Sequence, residues 1–158
     1  MTDTTKNTKH GDLKTALNLG PIDQVGFVVS NLDEAIARYQ PLFGEFSIMD
    51  APDMDWLYRG RQENSSLRLA FAKSGDIEIE LIEWLDGGTP HKEFLDQGRE
   101  GMHHLRFRVD NLEDKVKAAE ALCYEAIWIK RFADNLAAAY LERKGDPLLI
   151  ELFENTGE

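Results

Sequence analysis

Four side chains of metal-ligand type recur at matching places in the two halves of this chain. Residues 23–34 read Asp-Gln-Val-Gly-Phe-Val-Val-Ser-Asn-Leu-Asp-Glu, and residues 103–114 read His-His-Leu-Arg-Phe-Arg-Val-Asp-Asn-Leu-Glu-Asp. An offset of 80 lays Gln24 on His104, Phe27 on Phe107, Val29 on Val109, Asn31 on Asn111 and Leu32 on Leu112. A second echo, Ile79-Glu80-Leu81 against Ile150-Glu151-Leu152, has an offset of 71. Each half therefore opens on a strand carrying Gln or His and closes on one carrying Glu. A repeat implies a repeated structural unit, and polar residues at the same point of both units share a site if the units face each other. Gln24 offers a neutral oxygen, His104 a nitrogen, and Glu80 and Glu151 carboxylates. That mixed set suits Co, Ni, Mn or Zn and is compatible with Mg. Four protein ligands leave an octahedral ion room for a substrate with two neighbouring oxygens. The ion would stabilise the enolate formed when a proton leaves the carbon beside a carbonyl. Two carboxylates near that carbon would take and return the proton on opposite faces, as an epimerase requires. The single cysteine, Cys123, can build neither a structural zinc site nor an iron–sulfur cluster.

The elements that must position these residues follow from pattern. Ile22–Val29 is β-branched and apolar and reads as a strand. Asn31 then caps a helix over 32–43, with Asp33 and Glu34 in its first turn and Leu32, Ala35, Ile36, Tyr39 and Phe43 at helical spacing. Pro41 distorts or ends its last turn, and Gly44 is the stop. Phe46–Met49, Trp56–Arg59, Leu67–Ala72 and Ile77–Glu83 read as strands, the last two joined by a turn at Ser74-Gly75-Asp76. The second half repeats the order: a strand at His103–Val109, a helix from the Asn111 cap to Leu122, then strands at Tyr124–Lys130, Leu136–Glu142 and Leu148–Phe153. The fold class is α+β, with two tandem βαβββ modules forming a half-open curved sheet or barrel around the metal site. Module one spans about 21–85, a linker with a short helical piece (His91–Gln97) covers 86–101, and module two spans about 102–155. Together 21–158 form a single domain, preceded by a disordered tail over 1–20.

Composition narrows the function. The chain has 158 residues, 42% hydrophobic and 30% charged, which fits one soluble domain with a good core. A net charge of −11 argues against nucleic acid and anionic membrane surfaces, though a local basic rim can still hold an anionic substrate. No apolar run spans a bilayer, the first residues lack a signal-peptide core, and one cysteine excludes an internal disulfide. A cytoplasmic protein acting on a small molecule is the expectation.

The pattern resembles the vicinal oxygen chelate superfamily, the glyoxalase and bleomycin-resistance fold, over residues 21–155. The carriers are Ile22-Asp23-Gln24-Val25-Gly26, Gly101-Met102-His103-His104-Leu105, and the strand closings at Glu80 and Glu151. Within it the chain is most similar to methylmalonyl-CoA epimerases, through Gly75–Leu81 and the run from Thr89-Pro90 through Phe94-Leu95 to Gly98–His104. The resemblance implies a divalent metal held by Gln24, Glu80, His104 and Glu151, and a homodimer. It departs at Gln24, where most such epimerases carry His and eukaryotic glyoxalase I enzymes carry Gln. Glu151 is one candidate catalytic base, swinging between ligand and base. Alignment with the family points to Glu63 as the other. Arg59, Arg61 and Arg68 either rim a pocket for an anionic tail such as CoA phosphate or are solvated surface.

Other residues carry plainer readings. Strand alternation turns His103 away from His104. His91 caps the short helix after Pro90. Cys123 follows a helix end, where glycine is the easy residue. Trp128 and Phe132 pack as core or line a pocket mouth, core being preferred. Four functions then compete: the epimerase or isomerase on an acyl-CoA or similar carbon acid, a glyoxalase-type lyase on a thiol hemithioacetal, a ring-cleaving dioxygenase, and a non-catalytic small-molecule binder. The dioxygenase would want two His and one carboxylate, and the binder would tend to lose the ligands kept here.

Overall fold

The computed structural model describes residues 13–157. Its elements are α1 (Leu13–Ala16), β1 (Ile22–Val29), α2 (Leu32–Phe43), β2 (Ser47–Tyr58), β3 (Arg61–Ser74), β4 (Ile77–Asp86), α3 (Pro90–Asp96), β5 (Gly101–Val109), α4 (Leu112–Ala121), β6 (Tyr124–Ala133), β7 (Leu136–Arg143) and β8 (Leu149–Asn155). Each module is β-α-β-β-β, as its sequence pattern predicts. The strands close into a ring in the order β1-β4-β3-β2-β6-β7-β8-β5.

The expected curved sheet or barrel is present, and strand length closes it into a full ring. β2 and β3 absorb the stretches that looked like gaps between short strands, and β2 reaches across to β6 through Leu57–Ile129 and Tyr58–Trp128. A bulge between Ala51 and Met54, with Asp53 at φ 51°, bends β2 along the way. The opposite junction, β1 against β5, is long and antiparallel, and the outer strands β4 and β8 lie parallel to β1 and β5.

Apolar residues are buried on both faces of this sheet. Inside the ring, Trp56, Leu67, Leu69, Ile82, Trp128 and Tyr140 form the main core. Outside, α2 packs Leu32 and Ala35 on Ala70 and Leu81, and α4 packs Leu112, Val116 and Ala119 on Ala137, Ala139, Leu141 and Leu152. Residues 13–19 do not behave as the expected tail. Leu13 and Leu17 are buried against the α4 layer. The rest of that expectation, residues 1–12, lies outside the described residues.

The two modules fix their helices in the same way. Asn31 Oδ1 accepts from Glu34 N–H at 3.0 Å, and Asn111 Oδ1 from Asp114 N–H at 3.3 Å. Each helix has a second cap from the last strand of its own module. Glu83 accepts from Leu32 N–H at 2.7 Å, and Glu154 from Leu112 N–H at 2.8 Å. A carboxylate there satisfies an otherwise orphaned donor and meets the positive end of the helix dipole. Helix α2 continues through Pro41 and stops at Gly44, whose N–H bonds Gln40 O. The stretch between modules is more than a linker. Thr89 caps α3, and Phe94 and His91 are buried, so α3 closes one end of the barrel. Among the described residues no helix is long and apolar enough to cross a membrane.

Candidate metal centre

Strand register brings the four repeated polar residues together. Across the β4-β1-β5 junction one row reads Glu80, Gly26, His104; the neighbouring row, extended to β8, reads Glu78, Gln24, Arg106, Glu151. Paired residues share a face, and this face is the barrel interior. His104 Nε2 there lies 2.9 Å from Gln24 Oε1, 3.1 Å from Glu151 Oε1 and 3.4 Å from Glu80 Oε1. The donor atoms of Glu80, His104 and Glu151 all lie within 4.8 Å of one another. Gln24 and His104 are fully buried, and Glu151 nearly so.

Gly26 makes the arrangement possible. A Cβ built there would stand 2.0 Å from His104 Cε1. Its backbone is unremarkable for any residue, so glycine serves here by leaving space. The imidazole lies against the bare backbone of β1 at Gly26, and its Nε2 reaches the oxygens beyond.

The electrostatics of the cluster call for a cation. Burial alone would lower the basicity of His104, but hydrogen bonds and charge from Glu151 and Glu80 outweigh it and hold the imidazole up to about 9. A proton on Nε2 thus answers the two carboxylates in the metal-free protein. The donor chemistry fits a divalent ion equally well: one imidazole nitrogen, two carboxylates and one amide oxygen facing a common point, shielded from water. Surrounding groups lock the donors. Gln24 Nε2 donates to Glu78 Oε1 at 2.7 Å, which turns the amide oxygen toward His104. His104 Nδ1 lies 3.0 Å from His103 Nδ1.

That last contact corrects the reading of His103. The β1–β5 register runs Gly26 to His104 and then Phe27 to Met102, so His103 is the extra residue of a bulge. The bulge breaks alternation and turns both histidines inward. His91 is also internal rather than a cap. Its Nε2 lies 3.0 Å from the Tyr140 hydroxyl and its Nδ1 meets Thr89 Oγ1. Burial, with the charge of His104 behind it, pushes His91 down to about 3. Burial and the two carboxylates push the Tyr140 phenol well up, so its hydroxyl keeps its proton.

Above the cluster opens a chamber of about 500 Å³, walled by Met54, Trp56, Leu67, Leu69, Phe71 and Trp128, with Gln24, Glu80, His91, Tyr140 and Glu151 also lining it. Arg106 and Arg108 line it too, and both guanidiniums are held by Asp23 at 2.8 Å. Burial alone would raise Asp23, but these two cations hold it below the usual carboxylate range. Trp128 is both core and chamber wall, and Phe132 lies at the chamber edge, half exposed.

Glu63 is not in this chamber. It sits beyond its end, where its carboxyl abuts Gly88 and lies 3.4 Å from Arg61 Nε. The β3 side chains that do face the chamber are Leu67, Leu69 and Phe71. The three arginines considered for its rim also lie elsewhere. Arg59 is clamped by Glu93 and Glu142, Arg61 pairs with Glu63, and Arg68 pairs with Asp33, Asp50 and Glu83. Arg106 was legible as a candidate, since it falls two residues after His104 on the same strand face. Tyr140 and the Trp56–Trp128 pair carried no chemical signal beyond apolar patterning.

Comparison with known proteins agrees with this architecture. A family model described as the glyoxalase/bleomycin resistance protein/dioxygenase superfamily matches residues 23–140. The uncharacterised protein YqjC of Bacillus subtilis is 24% identical over 140 residues, covering 87% of this chain and 94% of that protein. Among solved structures, the hypothetical protein BH1468 of Bacillus halodurans superposes with a TM-score of 0.63 at 21% identity, covering 87% of this chain and 96% of that one. The methylmalonyl-CoA epimerase of Mycobacterium tuberculosis superposes with a TM-score of 0.59 at 22% identity, covering 87% and 89%.

Proposed function

The chain belongs to the glyoxalase/bleomycin resistance protein/dioxygenase superfamily, and from that premise we propose that it is a divalent-metal-dependent isomerase that moves a proton on a carbon beside a carbonyl. The observation that carries the proposal is the convergence of three oxygen donors, two buried and one partly buried, on His104 Nε2. Gln24, Glu80, His104 and Glu151 are the residues that would hold Co, Ni, Mn or Zn. Bound there, the ion would supply Lewis-acid stabilisation of negative charge developing on substrate oxygens.

The protein's own groups do the rest. Glu151 and Glu80 come from equivalent strands of the two modules and are the proton-transfer pair in this reading, with Glu80 taking the place first given to Glu63. One removes the proton and the other returns it from the opposite side, which inverts the carbon. The apolar walls, Trp56, Leu67, Leu69 and Trp128, hold the acyl part and keep water away. Arg106 and Arg108 face an anionic substituent. The likeness to methylmalonyl-CoA epimerase supports an acyl-CoA or similar thioester as the substrate class. A cytoplasmic homodimer completes the proposal.

A glyoxalase-type lyase acting on a thiol hemithioacetal is the second reading. It is favoured by Gln24 in the donor set and by the lack of a carboxylate on the chamber face of β3. The deciding experiment begins with metal content. The wild-type protein, stripped and reloaded, is expected to take up about one equivalent of Co, Ni, Mn or Zn, and His104→Ala and Glu151→Ala to take up none. Proton exchange beside the thioester carbonyl of a small acyl-CoA in deuterated water then separates the isomerase from the lyase. Failure to bind any of the four metals would leave a small-molecule binding protein on the same fold.

A further inference from the structure

The chamber over the metal cluster has two unlike walls. In the strand ring β4-β1-β5 with β8 forms one arc, and β3-β2-β6 forms the arc across from it. The first arc lines the chamber with Gln24, Glu78, Glu80, Arg106, Arg108 and Glu151. The second contributes nine lining side chains, four from β2, three from β3 and two from β6, and none carries a charge, a hydroxyl or an amide. A substrate held by its oxygens on the first wall therefore meets only apolar surface on the second.

Size and exposure say how much substrate that wall expects. The chamber holds about 500 Å³, a volume that encloses ligands well beyond three or four carbons. An acyl group that short would reach the donors and leave the opposite arc facing water, which is unfavourable for apolar surface. The rim repeats the signal. Met49 and Phe132 line the chamber, yet they are 49% and 43% exposed, two of the six large apolar side chains left open to solvent among the described residues. A ligand body seated between them would take that surface from water.

The kind of body follows from the rings. They run without a break from the cluster to the apolar arc. The Tyr140 ring lies 5.0 Å from that of His104, Trp128 lies 4.7 Å from Tyr140, and Trp56 lies 5.3 Å from Trp128, centroid to centroid. Phe71 and Phe132 border the same space, and Met49 and Met54 bring thioethers to it. An aromatic ligand gains edge and face contacts from such rings, and sulfur contacts from such thioethers, beyond the area it buries. A saturated body of the same size gains the area alone.

We propose that the substrate is an aryl-substituted acyl compound, with its oxygens toward the donor wall and its ring against Trp56, Trp128, Phe71 and Met54. The inference deepens the functional reading above: it rests on this chamber being the substrate site, and it holds for either of the two reactions considered there.

The test compares 2-phenylpropanoyl-CoA with propanoyl-CoA, which share the CoA and the thioester and differ by one ring. Each is titrated into the full chain, metal-loaded and metal-stripped, and binding is read from the fluorescence of Trp56 and Trp128. The aryl thioester is expected to bind at least about tenfold tighter. Phe132→Ala, a change at a half-exposed position, is expected to lower that ratio at least about threefold. Ala51→Phe, which fills the chamber from its apolar wall, is expected to erase it, with metal uptake by each variant showing that the centre is intact. Equal affinity for the two thioesters, a ratio that neither variant lowers, or 2-cyclohexylpropanoyl-CoA binding as tightly as the phenyl compound would each overturn the inference. A phenyl preference in a chain that takes up no metal would support the inference and sink the metal-dependent reading. Metal uptake without the preference would do the reverse.

Discussion

An alanine at position 26 would bring its Cβ to 2.0 Å from His104 Cε1, closer than any real contact. The imidazole would have to leave the acidic cluster or β1 would have to part from β5. Gly26→Ala is therefore expected to cost about 1–3 kcal/mol of stability and at least about tenfold in metal affinity, checked by urea denaturation and by competitive metal titration. His104 also sets a pH dependence. Held up to about 9 in the metal-free protein, it carries a proton at neutral pH that an incoming ion must displace. Metal uptake at pH 7 should release about one proton, and affinity should fall as pH drops below 9. Calorimetry in buffers of different ionisation enthalpy reads that proton directly. The same group makes the metal-free fold pH-sensitive in the opposite sense. Its folded value lies above the unfolded one, so its contribution is complete below about 6.5 and is lost as pH rises through about 9. At this scale the repeat made Gln24, Glu80, His104 and Glu151 legible as a group, because the echoes at offsets of 80 and 71 mark equivalent strands of two modules. Glu63 shares the strand face of Leu67, Leu69 and Phe71 but lies beyond the chamber's end, so the loose match around Gln62–Ser65 found the face and missed the distance along the strand. The same echo that marked Glu80 and Glu151 also pairs Glu83 with Glu154, and these turned out to cap helices.

Among the elements, the helices and the first and last strand of each module were legible, because their caps and apolar spacing agree with the final structure. The long hairpin β2–β3 was not. Asp50, Pro52, Asp53 and Asp55 on β2, and Glu63 and Asn64 on β3, are poor strand formers, and pairing between the two strands overrides their preference. The bulge at His103 was equally hidden, since an inserted residue leaves no trace in an alternating pattern. The closure of the ring follows from that hairpin and rests on two residue pairs, Leu57–Ile129 and Tyr58–Trp128. Amide exchange should reflect this difference. Protection at Leu57 and Tyr58 is expected to be lower than at Val25 and Phe27 in the β1–β5 junction, and mass spectrometry of exchanged fragments would show it. Equal protection at both junctions would mean that the seam is braced by side chains, with Trp56 packed on Trp128 at 5.3 Å as the first suspect.

For the molecule as a whole, the amino-terminal segment matters more than its composition suggests. Leu17 is 1% exposed and packs with Leu13 against the α4 layer, so Leu17→Ala is expected to cost about 2–4 kcal/mol, measured by urea denaturation. Polar residues around the two leucines hid this from the sequence, which holds no helical repeat there long enough to read. The two modules otherwise share one interior, with two of the four donors from each. Gly26 and His104 join those modules by exclusion, one giving up the volume the other fills. In evolutionary terms this couples the histories of the two halves. A lineage that keeps histidine at position 104 is bound to keep glycine at position 26. A lineage that replaces the histidine by a small residue is released from that constraint, so descendants that have lost the centre should betray it first by a side chain appearing in the other half.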